Sequence, residues 1–125
     1  MNALKVGRDR LARPGDADRL EWLVTNGIGG YACGTVSGAL TRRYHGLLVA
    51  ALAPPLPRTL LLAKLGERLW HEGQWVELDV NRWASGATTP GEPVHLESFT
   101  LEGTVPVWTW ALGSTRLEKI QAGCV

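Results

Sequence analysis

Turn residues punctuate this chain at short intervals, and that spacing limits what it can fold into. Pro14-Gly15-Asp16, Asn26-Gly27-Ile28-Gly29-Gly30, Gly38, Pro54-Pro55-Leu56-Pro57, Gly73 and Gly113-Ser114 recur along the sequence. Gly and Pro interrupt helices and favour reversals; with the Gly- and Pro-containing loop at 81–93 and Gly103 added, many of the turns fall about 8–12 residues apart, which leaves room for strands but not for helices of ordinary length. The segments between the breaks suit strands. EWLVT at 21–25, YACGTVS at 31–37, TLLLAKL at 59–65 and VPVWTWAL at 105–112 are rich in β-branched, aromatic and apolar residues. RYHGLLVAAL at 43–52 is read as a strand closed by the prolines that follow, and Leu69-Trp70 with Trp75-Val76 flank a glycine turn as a hairpin. His95–Leu101 alternates, Arg116–Ile120 adds a last strand, and 81–93 reads as a polar loop. The expectation is an all-β fold, an antiparallel β-sandwich. Residues 1–19 are expected to form an N-terminal arm with one short strand, and 20–125 the β-domain.

A length of 125 residues suits one domain. The formal net charge is +1, so no long-range field would gather nucleic acid or an anionic membrane. Neither a signal peptide nor a membrane-spanning apolar run is legible, which makes a cytoplasmic location the expectation. Cys33 and Cys124 have no metal-binding spacing; two buried free thiols are favoured over a disulfide. Six Trp stand against one Phe. An indole has a broad apolar face and one N–H donor, which suits a β-core or a sugar-stacking surface. Core is favoured for Trp70, Trp75, Trp83, Trp108 and Trp110, with Trp83, in the polar loop, the best of them for stacking on sugar.

Several chemistries do not fit. The NGIGG turn is followed by a strand-like segment, whereas a phosphate cradle needs a helix N-terminus there. There is no G-x-S-x-G elbow. His45, His71 and His95 lack paired-ligand spacing, so no metal site and no cofactor is expected. Glycoside hydrolysis needs two carboxylates across the bond, and nothing in the sequence selects a pair from Glu21, Glu67, Glu72, Glu77, Asp79 and the other acids; no catalytic residue is nominated. The densest polar cluster is Thr41-Arg42-Arg43-Tyr44-His45-Gly46. As a strand it would set Arg42 and Tyr44 opposite Arg43 and His45. Guanidinium forks suit carboxylates or sugar hydroxyls, and a solvated strand start with a half-buried Tyr-His pair is the equal alternative.

EWLVTNGIGGYA at 21–32, GTVSG at 34–38 and TRRYHGLLVA at 41–50, in that order and spacing, resemble the N-terminal domain of bacterial and archaeal-type glycogen debranching enzymes. RTLLLAKL at 58–65, HLESF at 95–99, PVWTW at 106–110 and LEK at 117–119 extend the resemblance over about 20–120. It implies an amylo-α-1,6-glucosidase, a glycoside hydrolase of glycogen catabolism that cuts α-1,6 branch linkages. In that family a β-sandwich precedes an (α/α)6 barrel that carries the catalytic carboxylates. The sandwich would continue beyond Lys119, so a partial domain without the barrel is expected, with open strand edges and exposed core. The partners so implied are the catalytic barrel and α-glucan (glycogen or branched maltooligosaccharides). Arg42, Arg43, Tyr44 and His45 are expected at the domain interface or glucan cleft, with Asn26, Gly29 and Tyr31 on the same surface. The alternatives are a stand-alone carbohydrate-binding or interaction β-domain, or a non-functional gene fragment.

Overall fold

A computed structural model describes residues 4–82, 85, 88–89 and 95–121, with backbone alone at 82 and 88–89. Trp83 and Cys124 lie outside the described residues. The chain runs through β1 (Leu4–Val6), α1 (Arg8–Leu11), α2 (Asp16–Arg19), β2 (Glu21–Thr25), β3 (Tyr31–Thr35), β4 (Gly46–Ala50) and β5 (Thr59–Leu62). It continues through β6 (Arg68–His71), β7 (Gln74–Glu77), β8 (Asn81–Arg82), β9 (Thr88–Thr89), β10 (Leu96–Glu102), β11 (Val105–Leu112) and β12 (Thr115–Ile120). All pairings are antiparallel. They build one sheet in the order β1-β10-β11-β12, a second in the order β2-β3-β4-β5, and the hairpins β6-β7 and β8-β9. The fold is all-β and sandwich-like, as the turn spacing implies.

Alternation fixes what the two sheets bury. On β2, Trp22 and Val24 are buried while Glu21, Leu23 and Thr25 are exposed; on β11, Val107, Trp108, Trp110 and Leu112 are buried. The Trp22 and Trp108 rings meet edge to face at 5.4 Å, one from each sheet, and Phe99 of β10 packs on Trp108 at 5.1 Å. Buried indoles need an acceptor for their N–H. Trp22 donates to the Thr35 carbonyl at 3.1 Å, Trp108 to the Val36 carbonyl at 2.9 Å and Trp110 to the Leu78 carbonyl at 3.1 Å. Removing about 150–250 Å² per ring from water stabilises the fold by about 4–6 kcal/mol each, as an upper bound.

The N-terminal segment is more than an arm. β1 pairs with β10, and the helical turns α1 and α2 insert Leu11 and Ala17 into the core, both 1% exposed. The polar composition of 1–19 concealed this, because two well-placed apolar side chains suffice to dock it. Beside the core, Lys64 Nζ lies 2.8 Å from Asp79 Oδ2 and Lys119 Nζ donates to Glu67 Oε1 at 2.5 Å. Lys119 also sits 4.3 Å above the Trp108 ring, where the aromatic face attracts its charge.

Three expectations need correction. The hairpin at 69–76 forms, with Glu72 (φ 49°) and Gly73 (φ 80°) in the left-handed conformations of a two-residue turn. Its tryptophans are not core, however: Trp70 is 57% and Trp75 55% exposed. Leu69 and Val76, on the other face of the hairpin, pack against the core instead. The segment 42–44 is a turn, and the strand starts only at Gly46. Within the stretch read as a loop, Asn81–Arg82 and Thr88–Thr89 pair as β8 and β9.

Candidate functional site

The site lies on the face of the second sheet turned away from the tryptophan core. The polar residues of 41–45 fold back on themselves there because His45 closes the turn. Its Nδ1 accepts the backbone N–H groups of Thr41 and Arg42, each at 3.1 Å, and its own N–H bonds the Arg42 carbonyl at 3.1 Å. Two donors on Nδ1 require a lone pair there, so the ring hydrogen sits on Nε2. That hydrogen points at Glu21 Oε1, 2.6 Å away. The same oxygen accepts the Tyr44 hydroxyl at 2.8 Å. His45 is buried, whereas Tyr44 is 49% exposed, so the network roots a presented phenol in the sheet.

The electrostatics follow from those contacts. The Tyr44 and His45 hydrogen bonds, in that order, lower the Glu21 pKa below the ordinary 4.5, and the same bond to Glu21 raises Tyr44 above the ordinary 10. Burial, with a smaller contribution from the Glu21 charge, raises the Cys33 thiol. A carboxylate held ionised by two donors is the wrong starting state for a general acid. What the arrangement does is hold the Tyr44 and His45 side chains in place on one carboxylate oxygen.

The glycine-rich turn supplies the neighbouring wall. Asn26 Oδ1 accepts the N–H groups of Ile28 at 3.0 Å and Gly30 at 2.9 Å, while Gly27 (φ 79°) and Gly29 (φ 94°) hold left-handed conformations. A Cβ on Gly30 would lie 2.6 Å from Asn26 Nδ2 and 3.1 Å from the Val49 carbonyl oxygen, so a larger residue there would displace the Asn26 amide that closes the turn. From its edge Tyr31 donates its hydroxyl to the Tyr44 carbonyl at 2.9 Å. Arg58 bonds the Gly29 carbonyl at 2.5 Å through Nε and holds its guanidinium 5.8 Å from the Tyr31 ring centre. Together Leu23, Thr25, Gly29, Tyr31, Tyr44 and Arg58 line an open depression of about 470 Å³.

A family model described as glycogen debranching enzyme N terminal matches residues 20–122. The chain belongs to this family. No curated protein and no solved structure matches it. Two of the segments that carry the family resemblance, 21–32 and 41–50, supply most of the residues that line the depression.

The structure brings Tyr44, His45, Tyr31 and Gly29 together. Asn26 is adjacent, with its side-chain oxygen used inside the turn. Arg42 borders a separate polar recess beside Asp18, Arg19 and Glu21. Arg43 is exposed and makes no side-chain hydrogen bond or ion pair among the described residues. Two residues escaped the sequence reading as members of this site. Glu21 lies 23 positions before Tyr44, and only the strand register puts it beneath the 41–45 turn. Arg58 follows the proline run, and its contact with Gly29 depends on β5 pairing with β4. No helix among the described residues is long and apolar enough to cross a membrane.

Proposed function

We propose that this domain is the non-catalytic N-terminal part of a glycogen debranching enzyme and that its Tyr31–Tyr44–Arg58 face helps shape the glucan cleft against a catalytic barrel. The barrel would hydrolyse the α-1,6 branch linkage of glycogen or branched maltooligosaccharides. The observation that carries the reading is the anchored Tyr44. An exposed phenol is fixed from below by Glu21 and His45, beside an arginine and a depression of about 470 Å³. Exposed Leu23 and Leu60 extend the same face with apolar surface, the composition of a docking surface with a polar binding edge. Arg42 and Arg43, exposed on the turn that carries Tyr44, are available to carboxylates or sugar hydroxyls.

The test is steady-state hydrolysis of a branched oligosaccharide by the enzyme that carries this domain. Tyr44→Ala and Arg58→Ala each lower kcat/KM by about tenfold, the scale of one lost positioned hydrogen bond or ring contact. Arg43→Ala lowers it less. Unchanged kcat/KM in both Tyr44→Ala and Arg58→Ala sinks the proposal.

A further inference from the structure

We infer that the outward face of the β6-β7 hairpin is a second carbohydrate contact, a stacking corner for an α-glucan chain, separate from the Tyr44 face. Register places Arg68 opposite Glu77, Leu69 opposite Val76, and Trp70 opposite Trp75. Leu69 and Val76 face the core. Arg68, Trp70, Trp75 and Glu77 therefore share the solvent side, and all four are exposed. Water-facing positions on a half-buried hairpin are ordinarily polar, and two indoles there leave apolar surface uncovered. The core tryptophans Trp22, Trp108 and Trp110 each give their N–H to a carbonyl, whereas Trp70 and Trp75 donate to nothing among the described residues. The exposed pair thus offers ring faces and two unused donors.

The neighbouring chemistry selects the ligand. Arg68 holds its guanidinium over one face of the Trp75 ring, 4.6 Å from the ring centre, steadying the ring, leaving its other face available and presenting donors beside it. Across the hairpin Glu77 presents an acceptor. One cation and one anion flanking two apolar faces do not select a charged ligand. They fit a neutral polyhydroxylated one, whose C–H face lies on an indole while its hydroxyls reach both charges. The two rings stand 5.2 Å apart at 69°, so they form a corner and not a shelf. A corner suits a chain that turns between successive sugars, as α-1,4-linked glucose does, and not the flat ribbon of β-1,4-linked glucose. The choice of α-glucan among such chains rests on the reading of the domain as part of a glycogen-handling enzyme.

Affinity electrophoresis of the full 125-residue chain through gels containing glycogen tests this, with titration of maltoheptaose and cellohexaose against tryptophan fluorescence. The wild-type chain is expected to be retarded by glycogen and to bind maltoheptaose more tightly than cellohexaose. Trp70→Ala and Trp75→Ala should each weaken binding about tenfold, the scale of one lost aromatic contact. Trp70→Phe and Trp75→Phe keep a ring at each position and should keep most of the affinity; with the wild-type fluorescence response they decide the matter even where an alanine variant unfolds. An unretarded wild-type chain, folded alanine variants that migrate as wild type, or equal affinity for cellohexaose would overturn the inference. So would alanine variants that change only the oligomeric state in gel filtration, since the pair would then join copies of the chain. Failure of the cleft reading appears elsewhere, as unchanged kcat/KM in the Tyr44 and Arg58 variants.

Discussion

Trp108 and Trp75 both sit on antiparallel strands next to tight turns, yet one is 3% exposed and the other 55%. The difference lies in what each strand packs against. β11 is an inner strand flanked by β10 and β12, and its tryptophan face meets Trp22 of the other sheet. Among the described residues β7 pairs with β6 alone; the hairpin turns one face to the core, and Leu69 and Val76 occupy it. Residue type thus decides that a side chain wants cover; sheet position decides whether cover exists.

That contrast is breakable by mutation. The largest effect is expected at Trp108: replacement by Ala leaves a cavity between the sheets and strands the Lys119 contact, costing about 3–5 kcal/mol, read as a lowered midpoint in urea melts. A loss of under about 1 kcal/mol would mean that the sheets do not lean on one another. Next is Lys64→Met, which leaves Asp79, 6% exposed, with an uncompensated charge; about 3 kcal/mol is expected in the same assay. Trp70→Ala and Trp75→Ala should each shift stability by no more than about 1 kcal/mol, and a core-sized loss would show that the hairpin tryptophans are covered after all.

The smallest effect concerns pH. The folded Glu21 pKa is depressed, so its stabilising contribution is present above the ordinary 4.5 and disappears as pH falls through the lower folded value. Tyr44 is raised, so its contribution is complete below pH 10 and is lost as pH rises through the higher folded value. Thermal melts of Glu21→Gln against wild type should converge at low pH and separate most between those limits. A separation that does not depend on pH would detach Glu21 from the network. Both groups are solvent-exposed, so the separation is small.

The comparison also explains what sequence could and could not reveal. Strand positions, the Gly73 turn and the core role of Trp108 and Trp110 were legible, because alternation and turn chemistry are local. On the hairpin, alternation offered two apolar faces, Leu69 with Val76 or Trp70 with Trp75, and only the rest of the fold could choose between them. The 41–45 segment misled for another reason. Its polar residues could alternate along a strand, but a histidine nitrogen that accepts two backbone N–H groups offers the chain a competing local closure. The site needed Glu21 beneath Tyr44 and Arg58 at the depression, and both take their places only through strand pairing. The family, by contrast, was readable at once, since the residues that build the depression are also its signature.

The carbonyls of Thr35 and Val36 are consecutive, yet one serves an indole from the second sheet and the other an indole from the first. Slippage of this segment by one residue would take both acceptors from their donors together and leave two buried N–H groups orphaned. The two tryptophans therefore act as a vernier, two scales read against a single mark. What they supply beyond cohesion is alignment: Trp22 sets the segment against its own sheet, and Trp108 sets it against the other.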